Sequence, residues 1–243
     1  MAGMLKSFDR RVAAAVACYW TTRQQQATRQ RTVGKTDQGA RGAVTGGAQM
    51  DGFVELISEL VVAAGVPRES IHRNTSLELP GFFRPTKEWD LLVVSRGQLL
   101  VALEVKSHVG PSFGNNFNNR TEEAMGSALD LWTAYREGAF RNSPKPWLGY
   151  LFLLEDCEAS QRPVNVREPH FSVFQEFKEA SYAVRYELFC RKLVRERHYD
   201  VAAFLTSNRE SGMRGAYREP ADDLTFTAFA RSLTAHVSAH RPR

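Results

Sequence analysis

The chain of 243 residues has few cysteines and lacks the short motifs of several large enzyme classes. Its cysteines, Cys18, Cys157 and Cys190, are odd in number and form no CxxC pair, so they support neither a disulfide framework nor a cysteine zinc site. No HExxH motif and no GxxxxGK[ST] or GxGxxG phosphate loop occurs, so neither a zinc protease nor a nucleotide-driven enzyme is indicated. We expect no nucleotide cofactor.

Long apolar runs are also missing. No segment approaches the ~20 apolar residues that are needed to cross a membrane. An apolar stretch at residues 12–20 lies between arginines and a polar segment, and no secretory cleavage pattern follows it. Together with reduced cysteines, these absences predict a cytoplasmic protein that does not contact the membrane.

The composition is that of an ordinary globular protein with an excess of positive charge. Hydrophobic residues make up 43% and charged residues 24%, which is enough apolar material for one sizeable core. The formal net charge is +5 and the sequence pI is about 9.2. This balance suits a polyanionic partner, although many basic proteins never bind nucleic acid.

The first 47 residues predict an N-terminal helix followed by a basic arm. Apolar residues recur at helical spacing over residues 4–23, and the apolar face then stops. Residues 21–47 are rich in Gln, Thr, Gly and Arg, so we predict a mobile segment, either a solvated linker or an arm that orders on a phosphate backbone. We therefore divide the chain into residues 1–47 and a main domain over 48–243. The candidate phosphate contacts in the arm are Arg29, Arg31, Lys35 and Arg41.

Helical and strand patterns alternate through the main domain. They predict a helix over 52–64, strands over 89–94 and 99–106 around a turn, helices over 122–137 and 182–197, strands over 147–154 and 201–206, and a last amphipathic helix. Thr121 is the predicted N-cap of the helix over 122–137. This order predicts an α/β fold with a mixed sheet that is flanked by helices.

Two carboxylates and a lysine stand in the predicted hairpin, where a core would be apolar. Glu104 and Lys106 share one strand face, because side chains at i and i+2 project to the same side. A regular two-residue turn would set Asp90 opposite Leu103, whereas one bulged residue would set it opposite Glu104. We therefore predict a distorted register that brings Asp90 and Glu104 together.

These side chains have the composition of a metal-dependent phosphodiesterase site. Adjacent carboxylates repel each other unless a cation lies between them, and Asp90, Glu104 and the Val105 carbonyl would offer the hard oxygens that Mg²⁺ prefers. Lys106 would stabilise developing charge on a phosphate or, with a lowered pKa, help to deprotonate the attacking water. An ordinary Glu–Lys ion pair on a strand edge would give the same short pattern, so the motif alone leaves both interpretations open.

The segment after Lys106 is rich in asparagine and contains no carboxylate. Asparagine can pair with the N6 and N7 atoms of adenine, and arginine with the O6 and N7 atoms of guanine. Glycine and asparagine also favour turns, so a segment selected for its backbone geometry is the alternative interpretation. The candidate DNA contacts are Asn115, Asn116, Asn118, Asn119 and Arg120.

Four stretches resemble the XhoI family of restriction endonucleases: residues 44–53 (VTGGAQMDGF), 84–90 (RPTKEWD), 103–107 (LEVKS) and 112–124 (SFGNNFNNRTEEA). The resemblance extends over nearly the whole chain. It implies a type II enzyme of the PD-(D/E)xK nuclease class, which cuts both DNA strands at the palindrome CTCGAG with Mg²⁺, as a homodimer. It also implies that Asp90, Glu104 and Lys106 are the catalytic residues. Pro85 lies five residues before Asp90, which departs from the tight PD dipeptide, but proline binds no metal.

The resemblance further suggests an acid that assists the metal site from the helix before the hairpin. Glu55 and Glu59 lie four residues apart and share a helix face. A solvated acidic flank is the alternative interpretation of this pair.

Two other functions compete with a restriction enzyme. One is a repair or recombination nuclease of the same fold, which would recognise DNA structure and not sequence. The other is a DNA-binding module that has lost catalysis, although paired carboxylates would have no reason to persist there. A homodimer is expected for a restriction enzyme, because the chain has one site and no internal repeat while a palindrome has two strands to cut.

Overall fold

The structure is a computed structural model that describes residues 2–32 and 47–240, with side chains for residues 8–29 and 48–240. The α-helices are α1 (Ala2–Thr32), α2 (Asp51–Ala63), α3 (Phe113–Arg136), α4 (Glu158–Gln161), α5 (Tyr182–Arg195), α6 (Arg209–Gly212) and α7 (Phe226–His240). The β-strands are β1 (Ile71–His72), β2 (Glu78–Pro80), β3 (Thr86–Glu88), β4 (Leu91–Ser95), β5 (Gln98–His108), β6 (Trp147–Glu155) and β7 (Val201–Ser207). In these parts of the chain, no helix combines the length and the apolarity needed to cross a membrane.

One sheet contains the strands β1, β4, β5, β6 and β7, in that order. The pairs β1/β4 and β4/β5 are antiparallel, whereas β5/β6 and β6/β7 are parallel. Strands β6 and β7 are buried along their whole length, as expected of parallel strands with helices on both faces. The predicted α/β fold with a mixed sheet flanked by helices is therefore confirmed. Strands β2 and β3 form a separate hairpin.

Helices cover both faces of the sheet and make two apolar cores. On one face, α1, α2 and α7 share an apolar core with Val101, Leu103 and Val105 of β5. On the other face, α3 and α5 share a core with Leu99 and Ala102 of β5. Because side chains alternate along a strand, Glu104 and Lys106 point toward the face of α3 and α5, away from α2.

Helix α1 is longer than predicted and contributes to the core. It continues to Thr32, because Gln, Ala and Arg are good helix formers even where the apolar face has ended. The prediction of a mobile segment from residue 21 onward is therefore wrong as far as residue 32. Lys35, Arg41 and the side chain of Arg31 lie outside the described residues. Tyr19 of α1 is buried in the same apolar core as residues of α2. The predicted division of the chain at residue 47 stays a prediction.

Helix α3 begins at Phe113, well before the predicted start at residue 122. The proposed N-cap, Thr121, lies inside the helix, where its hydroxyl donates to the Asn118 carbonyl at 2.8 Å. The asparagine-rich segment is helical because Phe113 is buried and Phe117 packs edge-on against Tyr186 of α5. This burial outweighs the weak helix propensity of Gly and Asn. The alternative interpretation of the segment as a turn is wrong.

Candidate active site

A tight turn and a shift in register place Asp90 beside residues 103–106 of β5. Residues 96–97 join β4 to β5 and have φ angles of 50° and 76°, which is the backbone of a two-residue hairpin turn. The register shifts within β4, and beyond the shift Leu91 pairs with Leu103. Asp90 directly precedes β4, and its N–H donates to the Leu103 carbonyl at 3.1 Å. The predicted distorted register is confirmed.

The Lys106 ammonium lies between the two carboxylates. Its Nζ atom is 3.2 Å from Glu104 Oε1 and 3.5 Å from Asp90 Oδ2. Asp90 Oδ2 also accepts the Val105 N–H at 2.8 Å, which holds this carboxylate at the start of β4. In an extended strand the N–H and C=O of one residue point to the same side, so the Val105 carbonyl also faces the side of Asp90. The structure therefore brings together the residues that the sequence predicted for the site.

Glu104 is fully buried, and three side chains stabilise its negative charge. The Lys87 Nζ atom lies 3.2 Å from Oε1, the same oxygen that Lys106 contacts. The Tyr199 hydroxyl donates to Oε2 at 2.8 Å. Burial alone would raise the pKa of Glu104, but Lys106, Lys87 and Tyr199 outweigh it, and the pKa lies below its usual value. Glu104 is therefore ionised.

Lys106 is protonated in this arrangement. Burial would lower its pKa, but the carboxylates of Glu104, Asp90 and Glu123 outweigh burial and raise the pKa above the usual lysine value. To remove a proton from water, the Lys106 side chain would have to be a neutral amine. Of the two roles considered for Lys106, stabilisation of negative charge fits this protonated state.

The site offers oxygen donors that suit a hard divalent cation. Glu104 Oε1 is buried and faces two lysine ammonium groups without a well-oriented hydrogen bond, so it is also an acceptor for a metal ion. Among the described residues, no three histidine, cysteine or acidic side chains form a metal cluster. Mg²⁺ commonly binds one or two carboxylates and retains water or phosphate oxygens as its other ligands. Asp90, Glu104 and the Val105 carbonyl are the donors that fit it here.

Sequence reasoning missed three side chains at this site. The first is Glu123 of α3. Its Oε1 atom is 3.6 Å from Lys106 Nζ, and its Oε2 atom is 2.7 Å from Arg120 Nη1. Tyr199 precedes β7 and is remote from the hairpin in sequence, so no local pattern indicated it. Lys87 falls within the stretch RPTKEWD that carries the family resemblance, and its position shortly before Asp90 was the available signal.

The two candidate assisting acids do not join the other site residues. Glu55 pairs with Arg73 and, at 3.6 Å, with Arg68. Glu59 pairs with Arg11 of α1. Helix α2 packs on the sheet face opposite to the side chains of the catalytic candidates. An assisting role for Glu55 or Glu59 stays a prediction, and these ion pairs do not support it.

The predicted base contacts lie on the first turns of α3, which starts shortly after β5 ends. Asn115, Asn118 and Asn119 are exposed, whereas Asn116 and Arg120 are half-buried. The polar beginning of this helix therefore lies at the same end of β5 as Lys106.

Comparisons with known proteins identify the family. The family model described as "Restriction endonuclease XhoI" matches residues 29–219. Type II restriction enzyme BstVI from Geobacillus stearothermophilus is 56% identical over 207 residues, which cover 83% of this chain and 92% of that protein. Type II restriction enzyme XhoI from Xanthomonas vasicola is 47% identical over 196 residues, or 80% of this chain and 78% of that protein.

Type II restriction enzyme AbrI from Azospirillum brasilense is 50% identical over 173 residues, which cover 70% of this chain and 77% of that protein. No solved structure matches the chain. The family match extends over most of the chain, and these relatives are all type II restriction enzymes. The chain therefore belongs to the XhoI restriction endonuclease family and is a type II, site-specific deoxyribonuclease that binds double-stranded DNA.

Proposed function

We propose that the protein cuts both strands of DNA at the palindrome CTCGAG, with Mg²⁺ held by Asp90, Glu104 and the Val105 carbonyl. The observation that carries the chemistry is the convergence of two carboxylates on the Lys106 ammonium, at 3.2 and 3.5 Å. The recognition sequence comes from the resemblance to the XhoI family.

Each side chain of the site has a separate task in this proposal. Bound Mg²⁺ supplies Lewis acidity and lowers the pKa of water. The Val105 N–H orients Asp90, and the Tyr199 hydroxyl holds Oε2 of Glu104, which leaves Oε1 directed at the site. The Lys106 ammonium stabilises the negative charge that develops on the phosphate while water attacks it.

We propose that α3 reads bases while α1 contributes contacts to phosphates. A helix that presents exposed polar side chains at its N-terminal end is suited to the major groove, and Asn115, Asn118 and Asn119 are such side chains. Arg29 is exposed on α1 and can reach a phosphate without reading sequence. Arg31, Lys35 and Arg41 remain candidates for the same role.

A homodimer follows from the need to cut two strands. Each chain provides one Lys106 between one pair of carboxylates, which is enough to attack one phosphate. Two copies related by two-fold symmetry would present one site to each strand of a palindrome. Light scattering with and without a cognate duplex, together with sequencing of the cut ends, tests this. We expect a dimer on DNA and 5′ overhangs; a monomer on DNA, or nicks in one strand, would contradict the proposal.

A plasmid digest tests the proposed function directly. Purified protein is incubated with a plasmid that carries one CTCGAG site and with a matched plasmid in which one base pair of the site is changed. With Mg²⁺ we expect one linear product from the first plasmid and none from the second, and no cutting in EDTA. A smear, or cutting that depends on branches, would indicate a repair nuclease. A mobility shift without cutting would indicate a DNA-binding module.

We also propose that the enzyme works in the cytoplasm. Cys18, Cys157 and Cys190 are all free thiols, as expected of a protein in a reducing compartment.

A further inference from the structure

Lys87 occupies the oxygen of Glu104 that the proposed metal ion would take. Its ammonium lies 3.2 Å from Oε1, and the side chains of Lys87 and Glu104 are only 10% and 0% exposed. The other carboxylate oxygen, Oε2, already accepts the hydroxyl of Tyr199. Lys87, Lys106 and a metal ion would therefore all converge on a single oxygen atom.

The surroundings of Lys87 hold its ammonium at this place. The Nζ atom lies 4.5 Å from the centroid of the Trp89 ring, which is buried, and it donates to the Glu88 carbonyl at 2.9 Å. Strand β3 carries Lys87 and pairs with β2. The loop between these strands is tied to α3, because Asp130 accepts the backbone N–H of Phe83 at 2.8 Å. Lys87 is thus a defined part of the site and not a mobile surface lysine.

The charges of the site are balanced before any metal ion binds. Its carboxylates and cationic side chains are equal in number: Asp90, Glu104 and Glu123 against Lys87, Lys106 and Arg120. A divalent cation at Glu104 Oε1 would lie close to two ammonium groups, and like charges repel strongly in a buried site. One ammonium must therefore move away when the cation binds.

Lys87 is the lysine with fewer carboxylate partners, so it is the one that a metal ion would displace. Lys106 also faces Asp90 and Glu123, so it keeps two carboxylates if it loses Oε1 of Glu104. Among the described side chains, Glu104 is the one carboxylate with which Lys87 forms an ion pair. When a metal ion repels the two ammonium groups, Lys87 would keep only its contacts with the Trp89 ring and the Glu88 carbonyl, whereas Lys106 would keep two carboxylates.

We propose that Lys87 is a resident counterion of Glu104 that a divalent metal ion displaces, so that Lys87 sets the metal concentration at which the site assembles. Lys87 is in this sense a positioning residue, because it keeps the buried carboxylate charged and in place while the metal ion is absent. The inference rests on the proposed metal site at Asp90 and Glu104.

Mn²⁺ binding to the full-length protein, measured by electron paramagnetic resonance without DNA, tests the inference. Lys87→Met removes the competing charge and keeps an unbranched side chain over Trp89, whereas Lys87→Arg keeps the charge. We expect Lys87→Met to bind Mn²⁺ roughly ten-fold tighter than the parent, because one adjacent like charge is gone. Lys87→Arg should bind with nearly the parent affinity.

A thermal melt supplies a second readout and a matched control. Without metal, Lys87→Met should melt below the parent, because Glu104 has lost a counterion, and Mn²⁺ should raise its melting temperature by more than it raises that of the parent. The control is Lys145→Met, since Lys145 also lies over a tryptophan, Trp132, at 4.9 Å but pairs with Asp200 and not with Glu104. This control should leave Mn²⁺ affinity unchanged.

Two outcomes would overturn the inference at different levels. If Lys87→Met binds Mn²⁺ no more tightly than the parent, while Glu104→Gln weakens Mn²⁺ binding, the metal site stands and the role of Lys87 is lost. If Glu104→Gln leaves Mn²⁺ binding unchanged, the proposed metal site itself is wrong. Should Lys87→Met fail to fold, Lys87→Gln is used in the same comparison and must show the same tightening.

Discussion

Tyr199 donates a hydrogen bond of 2.8 Å to Oε2 of Glu104, and the same hydroxyl lies 3.1 Å from the Ala124 carbonyl of α3. Tyr199, two residues before β7, thereby connects the middle of β5 to the helix that carries the candidate base contacts. All of these atoms are buried, so the hydroxyl has no water to replace its partners.

Tyr199→Phe should leave Oε2 of Glu104 buried without a donor. We expect the free energy of unfolding to fall by about 1 to 3 kcal/mol, which is the cost of an unsatisfied buried group, and single-turnover cleavage to slow because Glu104 is less firmly oriented. Urea denaturation and a timed digest measure the two effects. Tyr135→Phe, which removes a hydroxyl away from the site, is the control. A variant as stable as the parent would show that the bond contributes nothing.

Glu123→Gln should strengthen binding to DNA of any sequence. Glu123 lies 2.7 Å from Arg120 and repels phosphate, so removing its charge frees the guanidinium and makes the site more positive. Fluorescence anisotropy on cognate and random duplexes measures the affinities. Glu196→Gln is the matched control, because Glu196 pairs with Lys192 on an exposed surface. Unchanged or weaker binding by Glu123→Gln would exclude this electrostatic role.

Asn118→Ala and Arg29→Gln should weaken DNA binding in different ways. Losing a base contact at Asn118 should cost ~1 to 3 kcal/mol on a cognate duplex and nothing on a random one. Losing a phosphate contact at Arg29 should weaken both equally and reduce the salt slope by ~1. Titrations at several salt concentrations separate the two effects. Equal losses on both duplexes from Asn118→Ala would remove its base-reading role.

His108 is a buried, neutral side chain that joins the end of β5 to α5. Its Nε2 atom lies 3.2 Å from the Ser112 carbonyl, which can only accept, so Nε2 carries the proton. The other nitrogen, Nδ1, accepts the Tyr186 hydroxyl at 2.7 Å. Burial lowers the pKa of His108 from 6.5 to about 4.

The stability of the protein should therefore depend on pH through His108. Between about pH 4 and 6.5 the unfolded state binds more protons at this residue than the folded state does. The contribution of neutral His108 is thus complete above 6.5 and is lost as pH falls through about 4, a total of about 3 kcal/mol. His108→Gln should lack this dependence in urea unfolding across the window. A parent and variant whose difference stays constant with pH would contradict it.

The sequence predicted those parts of the site whose geometry depends on residues close together in the chain. The register that joins Asp90 to Glu104 depends on strand alternation and on a short turn, both of which can be recognised from neighbouring residues. Tyr199 and Glu123 reach the site through the packing of β7 and α3 against β5, which no local pattern encodes. Strands β1, β2 and β3 are two or three residues long, too short to show alternation.

The start of α3 shows how tertiary contacts override local preference. Glycine and asparagine in residues 114–119 favour a turn, and propensity alone places the helix later. The burial of Phe113 against Tyr182 decides the outcome, and Tyr182 is distant in the chain. Helix α1 differs, because good helix formers continue it past the end of its apolar face.

The measurement that tests the central claim most directly is the cleavage rate of Lys106→Ala under single-turnover conditions, on a duplex that contains CTCGAG in Mg²⁺. Loss of the ammonium should slow cleavage by roughly 100-fold or more, the usual effect of removing one group that stabilises transition-state charge. The same variant should still bind the duplex, and the control Lys192→Ala, an exposed lysine of α5, should cut at the parent rate. Cleavage by Lys106→Ala at nearly the parent rate would contradict the assignment of Asp90, Glu104 and Lys106 as the catalytic site.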